Sequence, residues 1–360
     1  MRFFFDARYI RTDFHDSMSR CSSELGAALA KITPVTFIIS DTKQLALLPS
    51  GADYIQLHPV TSAREPLTAM ILNTYRPDVV FTPMQMMGTM GRRFKVILTL
   101  HDLIYYHHRT PPANLSRAIR LGWRLYHTTY LPQRITLNQA DMVATVSQAS
   151  KAEIVKARLT KRPIVVIPNA PRDLAQFLKT PVRLDQPPRD LVYMGSFMRY
   201  KNVEALIAAM EFLPDHTVHL LSPITPKRRG ELERGIPKNA KVVFHNGVSD
   251  QAYAKLLANN AVLVSATRHE GFCLPLAEAL ALGVPAVVSD LPVLHEVGGN
   301  GALYFNCNQP QEFARQVLRL DDSRLRKKVS EAGKRQMRQF NWEDSARTLL
   351  EAAQSLTQPK

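Results

Sequence analysis

The chain has 360 residues, of which 45% are hydrophobic and 21% are charged, and its formal net charge is +15. This length suffices for two ordinary domains, and the composition excludes a disordered chain. The three cysteines are scattered along the sequence, which argues against a disulfide framework or a zinc site and favours a reducing compartment.

The first half of the chain alternates short apolar runs with helical stretches, as a doubly wound sheet requires. The apolar runs predict strands at residues 2–6, 35–39, 79–81, 95–100, 142–146 and 164–167. Helices are predicted at residues 26–31 with the turn before them and at residues 147–158, where Ser147 or Ser150 can serve as the cap. The charged first residues are atypical of a signal peptide, and no uninterrupted apolar run reaches membrane-spanning length, so we expect a cytoplasmic protein.

Most of the positive charge lies in this first half. Residues 1–180 contain 23 Lys and Arg against 12 Asp and Glu, whereas the remainder contains 23 against 19, which gives +11 and +4. Such a half suits an anionic membrane surface, an anionic acceptor, nucleic acid or solubility alone. No recognised nucleic-acid-binding module accompanies the charge, so we expect no nucleic-acid partner.

Residues 116–126 are the best candidate for a helix that contacts a membrane. An apolar stripe and a basic face run along the segment, formed by Ile119, Trp123 and Tyr126 and by Arg117, Arg120 and Arg124. The alternative is a surface helix that packs its apolar side on the domain core. We therefore expect either association with the inner face of a membrane or ordinary packing.

The second half repeats the pattern after a proline-rich, weakly periodic passage at residues 171–190. The apolar runs predict strands at residues 190–194, 217–221, 241–244, 261–265 and 285–289. Helices are predicted at residues 202–211, 250–258, 275–282 and 343–355, with two more beginning near Gln311 and Asp321.

Glu270 and Glu278, separated by seven residues, flank a Gly-Phe-Cys-Leu-Pro turn between a predicted strand and a predicted helix. Pro275 suits the start of that helix and Gly283 its end. In such a unit the loop and the helix start face a ligand crevice, and the helix N–H groups there favour an anion. Two acids would repel an anion that they touched, so we interpret them as acceptors for hydroxyls that flank it. A phosphate flanked by hydroxyl-rich rings describes a nucleotide sugar.

A second group of residues suits a diphosphate. Gly195 closes a predicted strand, and Asn202 is placed to cap the helix that follows. Between them lie Arg199 and Lys201, two cations beside a helix start. Backbone N–H groups and fixed positive charge stabilise the anion that grows as a glycosidic bond breaks.

The run from Glu270 to Glu278, with His295-Glu-Val-Gly-Gly behind it, resembles the donor-binding signature of retaining glycosyltransferases of family four. Other segments resemble the same family in the same order along nearly the whole chain: residues 100–102, 140–147, 166–170, 190–202, 246–250 and 340–343. The overall pattern is most similar to mannosyltransferases of surface-glycan assembly.

The resemblance implies an α/β protein of the GT-B fold, in which two Rossmann-like, doubly wound parallel-sheet domains face a central cleft. It implies the following organisation: an acceptor-binding domain at residues 1–170, a linker at residues 171–189, a nucleotide-sugar-binding domain at residues 190–342, and a C-terminal helix at residues 343–360 that returns to the first domain.

The resemblance also implies roles for particular residues. Lys201 would hold the diphosphate, Glu270 would contact the transferred sugar, and Glu278 would accept hydrogen bonds from the ribose. His101 would lie near the sugar and the forming bond, so the expected catalytic residues are His101, Lys201 and Glu270. The expected donor-binding residues are Gly195, Ser196, Arg199, Lys201, Glu270, Gly271, Phe272, Cys273, Leu274 and Glu278. Each has a simpler alternative, such as a loop Glu270 paired with Arg268 or an exposed Glu278 that favours the helix dipole.

The chain departs from the family's pattern at three places. Ser196 stands where many relatives carry arginine, and Arg199 is a possible substitute. Cys273 replaces a frequent glycine and would narrow the sugar pocket. Residues 16–21 stand where relatives carry a glycine-containing turn, and we expect an acceptor or phosphate loop formed by Ser17, Ser19 and Arg20.

These features predict a retaining hexosyltransferase that uses a nucleoside diphosphate sugar and a glycan or lipid-linked acceptor, with mannose as the first choice of sugar. The sequence has no Asp-x-Asp, and the resemblance implies that the enzyme needs no metal or other cofactor. Two alternatives stay open: a nucleotide-sugar 2-epimerase of the same fold, and a non-catalytic protein that binds nucleotide sugars.

Overall fold

The computed structural model describes residues 1–13, 17–111 and 116–358. The chain divides into two compact units. The first unit comprises Met1–Asn169 and Asn341–Lys360, and the second comprises Ala170–Phe340. Residues 171–189, which the sequence suggests as a linker, therefore belong to the second unit.

Seven parallel strands form the sheet of the first unit within its described residues. They are β1 (Phe3–Asp6), β2 (Val35–Ile39), β3 (Asp53–Gln56), β4 (Val79–Thr82), β5 (Lys95–Thr99), β6 (Met142–Thr145) and β7 (Ile164–Val166). Their order is β3-β2-β1-β4-β5-β6-β7, so the direction of winding reverses between β1 and β4. Such a reversal creates a crevice at the carboxyl ends of the two strands.

The sheet of the second unit contains six parallel strands, all of them in the described range 116–358. They are β8 (Asp190–Tyr193), β9 (Thr217–Leu220), β10 (Lys241–Phe244), β11 (Ala261–Ser265), β12 (Ala286–Ser289) and β13 (Ala302–Phe305). The order β10-β9-β8-β11-β12-β13 reverses between β8 and β11, where Val192 pairs with Leu263. Both sheets thus have the doubly wound topology that the sequence predicts.

Helices connect the strands, as crossovers between parallel strands require. They are α1 (Ser17–Ala30), α2 (Thr68–Leu72), α3 (Ile104–His107), α4 (Arg117–Tyr126), α5 (Leu131–Asn138), α6 (Gln148–Lys156), α7 (Val203–Ala209), α8 (Pro226–Glu233), α9 (Asp250–Leu257), α10 (Leu274–Leu282), α11 (Pro292–Gly298), α12 (Pro310–Arg319), α13 (Ser323–Met337) and α14 (Trp342–Thr357). The last of these belongs to the first unit, where it packs on α1.

Each unit has its own apolar core. The central strands are buried along their whole length, which explains why their sequences are almost continuously apolar. In the first unit the Phe5 ring packs between Phe37 and Phe81, with ring centroids 5.8 and 5.2 Å apart. In the second unit Leu191, Val262 and Val287 are fully buried in the corresponding layer.

Most of the predicted elements are confirmed to within one or two residues, and Ser147 caps α6 by accepting a hydrogen bond from the Ser150 N–H. The sequence misses β3 and β13, which lie at the outer edges of the two sheets. The predicted loop at residues 16–21 is wrong from Ser17 onward, because α1 begins there. Asp16 lies outside the described residues. Within the described ranges, no helix is both long and apolar enough to span a bilayer.

Candidate functional site

The reversal point of the second sheet brings together two of the predicted donor-binding segments. Lys201 ends a short 3₁₀ helix, Arg199–Lys201, that follows β8, and Glu270 lies in the loop between β11 and α10. Because β8 and β11 are adjacent and parallel, both segments leave the sheet at the same edge. The candidate site is therefore built at the carboxyl ends of these two strands.

Lys201 and Glu270 form an ion pair in which Lys201 Nζ donates to Glu270 Oε1. The two side chains are 16% and 10% exposed. Burial alone would lower the pKa of Lys201, but the charge of Glu270, with smaller effects of neighbouring acids, raises it well above its usual range. Lys201 is thus a fixed cation. The alternative pairing of Glu270 with Arg268 is wrong, since Arg268 Nη2 donates to Asn202 Oδ1 at 3.0 Å.

Cys273 occupies the residue before α10 in the left-handed region, with φ 77° and ψ 69°. This backbone conformation favours glycine, which agrees with the glycine that relatives often carry there. Burial, followed by the charge of Glu270, raises the pKa of the Cys273 thiol to about 12. The thiol is therefore neutral and a poor nucleophile.

The other residues of the turn are buried or half-buried. Phe272 is 4% exposed, and its ring meets Phe340 edge to face at 5.4 Å. Gly271 is buried, whereas Leu274 is half-buried at the first position of the helix. Pro275 occupies the second helical position, and Gly283 ends the helix with φ 82°, as the sequence predicts.

Glu278 faces inward from α10 and is 4% exposed, so the alternative of an exposed helix acid is wrong. Arg172 Nε donates to its Oε1 at 2.5 Å, and Arg172 Nη1 lies 2.8 Å from Asp250 Oδ1. Burial raises the pKa of Glu278, and the pairing with Arg172 opposes that rise. Sequence reasoning did not identify Arg172, which lies 106 residues before Glu278.

The glycine turn after β8 is held by hydrogen bonds. The Gly195 N–H donates to Ser222 Oγ at 3.1 Å, and Tyr193 Oη donates to the Ser196 carbonyl at 2.6 Å. A Cβ at Gly195 would approach Tyr193 Oη to 2.9 Å, so this turn requires glycine. Ser196 and Arg199 are exposed.

Asn202 does not cap α7 as predicted. It has φ 53° at the residue before α7, and its side chain makes no capping hydrogen bond. Instead Asn202 Nδ2 donates to the Cys307 carbonyl at 2.8 Å. The predicted cap is therefore wrong, and Asn202 links the loop after β8 to the loop after β13.

In the first unit, His101 follows β5 and lies at the carboxyl edge of the sheet. Its Nε2 lies 2.8 Å from the Pro83 carbonyl oxygen. Burial lowers the pKa of His101, although this contact opposes the shift, so the imidazole is neutral near pH 7. A cavity of about 20 Å³, enough for one water molecule, adjoins the ring. Its lining includes His101, Cys21, Ser22, Phe81, Asn169 and Trp342.

The predicted acceptor or phosphate loop is the first part of α1. Ser17 begins the helix, Ser19 is fully buried, and Arg20 is half-buried. Ser19 Oγ accepts a hydrogen bond from the Arg11 N–H at 2.9 Å. Its hydroxyl therefore helps to hold the β1–α1 connection. The resemblance to a glycine-containing turn does not suggest this role for Ser19.

A buried ionic cluster lies beside this connection. The Arg8 guanidinium binds Asp6 through Nε at 2.8 Å and Glu65 through Nη1 at 2.8 Å. Both side chains of the Arg8–Asp6 pair are fully buried, and Glu65 is 12% exposed. Two charges directly after an apolar strand were the only sequence signal for this cluster. Among the residues that the structure describes, no group of three or more His, Cys, Asp or Glu is arranged to hold a metal ion.

Helix α4 divides its apolar residues between two surroundings. Trp123 packs on Tyr105 and His127, with ring centroids 5.0 and 4.1 Å apart, so part of the predicted stripe packs inward. Ile119 stays 58% exposed, and Leu121 and Leu125 are 61% and 62% exposed. Leu121 and Leu125, which are one turn apart, form an exposed apolar face, and Ile119 lies on another side of the helix. This face differs from the stripe that helical spacing predicts.

Two sequence models of glycosyltransferases match the chain. The model described as Glycosyltransferase Family 4 matches residues 54–170, and the model described as Glycosyl transferases group 1 matches residues 188–322. Together they cover more than half of the chain, with one match in each unit.

Curated relatives include O-antigen mannosyltransferases. The chain is 26% identical to O-antigen chain mannosyltransferase B of Escherichia coli over 285 residues, which are 72% of this chain and 70% of that protein. It is 46% identical to O-antigen chain mannosyltransferase RfbU of Salmonella typhimurium over 66 residues, 18% of this chain and 19% of that protein. Matches to the E. coli serotype-specific mannosyltransferase WbdA span at most 14% of those proteins.

Solved structures align with nearly the whole chain. Sucrose-phosphate synthase from Thermosynechococcus elongatus aligns with a TM-score of 0.73 at 20% identity, covering 99% of both chains. Anabaena HepE in complex with UDP-glucose aligns with a TM-score of 0.72 at 16% identity, covering 99% of this chain and 100% of that one. At these identities the likeness concerns the fold, and it confirms the predicted GT-B class.

Proposed function

Because this chain belongs to family 4 of the glycosyltransferases, we propose that it transfers a hexose with retention from a nucleoside diphosphate sugar to a glycan or lipid-linked acceptor. The observation that carries the proposal is the meeting of Lys201, Glu270 and the start of α10 at the reversal point of the second sheet. A fixed cation and helix N–H groups at one point suit a diphosphate, and carboxylates beside them suit sugar hydroxyls.

The donor is assigned to the second unit. Lys201 and the exposed Arg199 stabilise the diphosphate, and Glu270 accepts hydrogen bonds from the transferred sugar. Glu278 accepts hydrogen bonds from the ribose. Gly195 to Ser196 and Gly271 to Leu274 provide the backbone that surrounds these groups. The acceptor is assigned to the first unit, where the neutral His101 orients acceptor hydroxyls.

The proposed reaction breaks the bond between the anomeric carbon and the diphosphate oxygen. Positive charge on Lys201 and the dipole of α10 stabilise the departing diphosphate, so we expect that no metal is required. The acceptor hydroxyl attacks the same face, and its proton passes to the departing phosphate oxygen. A separate carboxylate nucleophile, as retaining glycosidases use, is not part of this scheme.

Mannose is the proposed sugar and surface polysaccharide the proposed product class. The support is the similarity of the chain to proteins named as O-antigen mannosyltransferases. GDP-mannose is accordingly the first donor to test. UDP-sugars form the next group, because a structural neighbour was solved with UDP-glucose.

A thermal-shift screen with GDP, UDP, ADP and their sugar conjugates tests the donor assignment, since a ligand of the native state raises the melting temperature. A shift with GDP and GDP-mannose is the expected result. The bound sugar nucleotide is then tested for transfer with Glu270→Gln and with Glu233→Gln, which removes the charge of an exposed glutamate of the same unit. Transfer lost only in Glu270→Gln supports the proposal.

Two other outcomes favour the alternatives. Conversion of the donor to another free nucleotide sugar without an acceptor identifies a 2-epimerase. Binding with neither transfer nor hydrolysis, under conditions that include lipid-linked and glycan acceptors, favours a non-catalytic binding protein. No binding of any nucleotide overturns the donor assignment.

We also propose that the first unit associates peripherally with an anionic membrane through α4. The exposed Leu121 and Leu125, one turn apart, provide apolar contact, and Arg120 and Arg124 form the adjacent row of the same helix. The +11 charge of residues 1–180 adds long-range attraction.

Vesicle flotation with anionic and neutral lipids tests this association. Leu125→Glu should reduce binding to anionic vesicles, whereas Val155→Glu, which alters an equally exposed apolar residue on α6, should not. Absence of the wild-type protein from both vesicle types contradicts the idea.

A further inference from the structure

Arg172 joins two helices beside the carboxylate that we assign to the ribose. Its Nε donates to Glu278 Oε1 of α10 at 2.5 Å, and its Nη1 lies 2.8 Å from Oδ1 of Asp250, the first residue of α9. The Arg172 and Glu278 side chains are 19% and 5% exposed, so water and salt screen this contact only weakly. The contact is therefore stronger than a surface ion pair.

The contact with Arg172 leaves hydrogen-bond acceptor positions free on the Glu278 carboxylate. An ionised carboxylate accepts hydrogen bonds on two oxygens, at about four lone-pair positions. Arg172 Nε engages one of these oxygens, and the hydroxyl of the buried Tyr253 takes a further acceptor position. An ionised Glu278 therefore keeps acceptor capacity for two neighbouring hydroxyls, whereas a protonated Glu278 gives up part of that capacity and gains a donor.

The charged and titratable groups around Glu278 are Arg172, Asp250, Tyr253 and Cys273. Arg172 supplies the positive charge among them. Tyr253 is fully buried, and burial, followed by the charge of Glu278, raises the pKa of its hydroxyl well above the usual range. Burial raises the pKa of Glu278 as well. Without Arg172 the buried carboxylate would face Asp250 and two neutral acids, and it would take up a proton more readily.

We propose that Arg172 is a positioning residue for nucleotide recognition, which holds Glu278 ionised and oriented to accept hydrogen bonds from the ribose hydroxyls. This inference rests on the proposed function, because it takes the ligand of Glu278 to be a nucleotide ribose. Arg172 acts through Glu278. Arginine suits this position better than lysine, since its planar guanidinium reaches the carboxylates of α9 and α10 at once.

The experiment measures, by calorimetry, the affinities of GDP and of its 2′-deoxy and 3′-deoxy forms. UDP and ADP with their deoxy forms replace GDP if it does not bind. The variants are Arg172→Met, Arg172→Lys and Glu278→Gln. Arg183→Met is the matched control, because Arg183 comes from the same segment and pairs with Asp185 on the exposed surface. Melting temperatures check that each variant is folded.

The wild type and Arg183→Met should prefer the ribonucleotide by about tenfold or more, as hydrogen bonds to a charged group allow. In Arg172→Met the affinity ratio of ribonucleotide to deoxynucleotide should fall to within about threefold of the ratio in Glu278→Gln. The ratio in Arg172→Lys should lie between that of Arg172→Met and that of the wild type. The double variant Arg172→Met/Glu278→Gln should lose no more than Glu278→Gln alone. A full ribose preference in folded Arg172→Met overturns the inference. If no nucleoside diphosphate binds the wild type, the proposed function itself fails.

The pH dependence separates positioning from a general structural effect. Between about pH 5 and about pH 9 the ribose preference of Arg172→Met should increase with pH, because burial raises the pKa of Glu278 and Arg172 no longer opposes that rise. The increase should be absent in Glu278→Gln. Tyr253 and Cys273 stay neutral over this range, so they do not produce the same signal. If Arg172→Met shows no ribose preference at any pH, the inference is also contradicted. That result would mean that Arg172 does not act by keeping Glu278 ionised.

Discussion

The two sheets have the same winding, yet their carboxyl edges carry different chemistry. At the edge of the first sheet the charges are sealed: Asp6 and Arg8 have no exposed side-chain surface, and the cavity beside His101 is largely apolar. At the edge of the second sheet Lys201 and Glu270 keep 16% and 10% of their side-chain surface exposed. The difference lies in the cations: Lys201 reaches solvent and can exchange its protein partner for a ligand, whereas the fully buried Arg8 serves the fold. The acids do not differ in this way, since Glu65 is 12% and Glu270 10% exposed. Topology therefore fixes where a site lies, and the exposure of its cation decides whether that cation can meet a ligand.

The largest expected effect concerns Lys201, the accessible member of this comparison. Lys201→Met should lower sugar transfer by about 10²- to 10³-fold, because it removes a fixed cation from the diphosphate. A transfer assay with the donor found by thermal shift measures the loss. Lys255→Met, which removes an exposed lysine of α9, is the control. Transfer within a factor of about three of the wild type in Lys201→Met would mean that the cation is not part of the site.

A substitution in the buried cluster of Arg8, Asp6 and Glu65 should lower stability rather than sugar transfer. Arg8→Met leaves Asp6 and Glu65 buried without their cation, and we expect the first unit to lose about 3–5 kcal/mol of stability. Because the two units can unfold separately, hydrogen exchange followed on peptides of each unit is the appropriate measurement. Protection should fall in β1 and stay unchanged in β8.

A surface pair near the same connection provides the control for Arg8. Arg11 pairs with Asp13 at 3.0 Å, and the two side chains are 50% and 72% exposed. Arg11→Met should therefore cost less than about 1 kcal/mol. If Arg8→Met costs no more than Arg11→Met, the buried cluster does not stabilise the unit, and the contrast between sealed and accessible charge fails.

The sequence predicts what is encoded locally. Apolar runs locate the central strands, and Glu270 through Glu278 form one strand-loop-helix segment whose geometry follows from Pro275 and Gly283. Strand β3, with the sequence Asp-Tyr-Ile-Gln, was not predicted. It lies at the edge of the sheet formed by the described residues, and three of its four residues are exposed. Such a strand needs no apolar run.

Partners that are distant along the chain explain the remaining errors. Glu65 lies 57 residues after Arg8, and Glu278 lies 106 residues after Arg172. No local sequence pattern predicts either of these contacts. The start of α1 was missed for a related reason: Ser19 reads as a polar loop residue, but its hydroxyl is satisfied by the backbone of Arg11 and its side chain is buried.

A smaller effect is expected at the C-terminal end of α10 in the second unit, where the constraint is a backbone conformation rather than a charge. Gly283 has φ 82°, and a Cβ there would overlap the end of the Lys334 side chain. Gly283→Ala should cost about 1–2 kcal/mol of stability in the second unit, mostly from backbone strain, because the end of the Lys334 side chain can move. Gly230→Ala, in open space on α8, should be neutral or stabilising. Equal protection of α10 in both variants would show that the left-handed conformation imposes no constraint.

The smallest effect returns to the first unit and depends on pH. Burial lowers the pKa of His101 below the value near 6.5 that it has in the unfolded chain, so between the two values the unfolded state binds more protons. The stability of the first unit should therefore fall as the pH drops through about 6.5 and level off below the folded pKa, by less than about 1.4 kcal/mol per pH unit. His101→Gln should reduce this dependence in the first unit alone and leave the part that comes from His127, whose pKa burial also lowers. His216→Gln should reduce it in the second unit, because burial and then the charge of Arg189 lower the pKa of His216. The part that comes from His245, whose pKa burial also lowers, should remain. Hydrogen exchange on peptides of each unit, measured from about pH 5 to about pH 7.5, distinguishes the two variants. An unchanged slope in His101→Gln would mean that the ring accepts a proton in place, and a neutral His101 could then no longer be part of the proposed site.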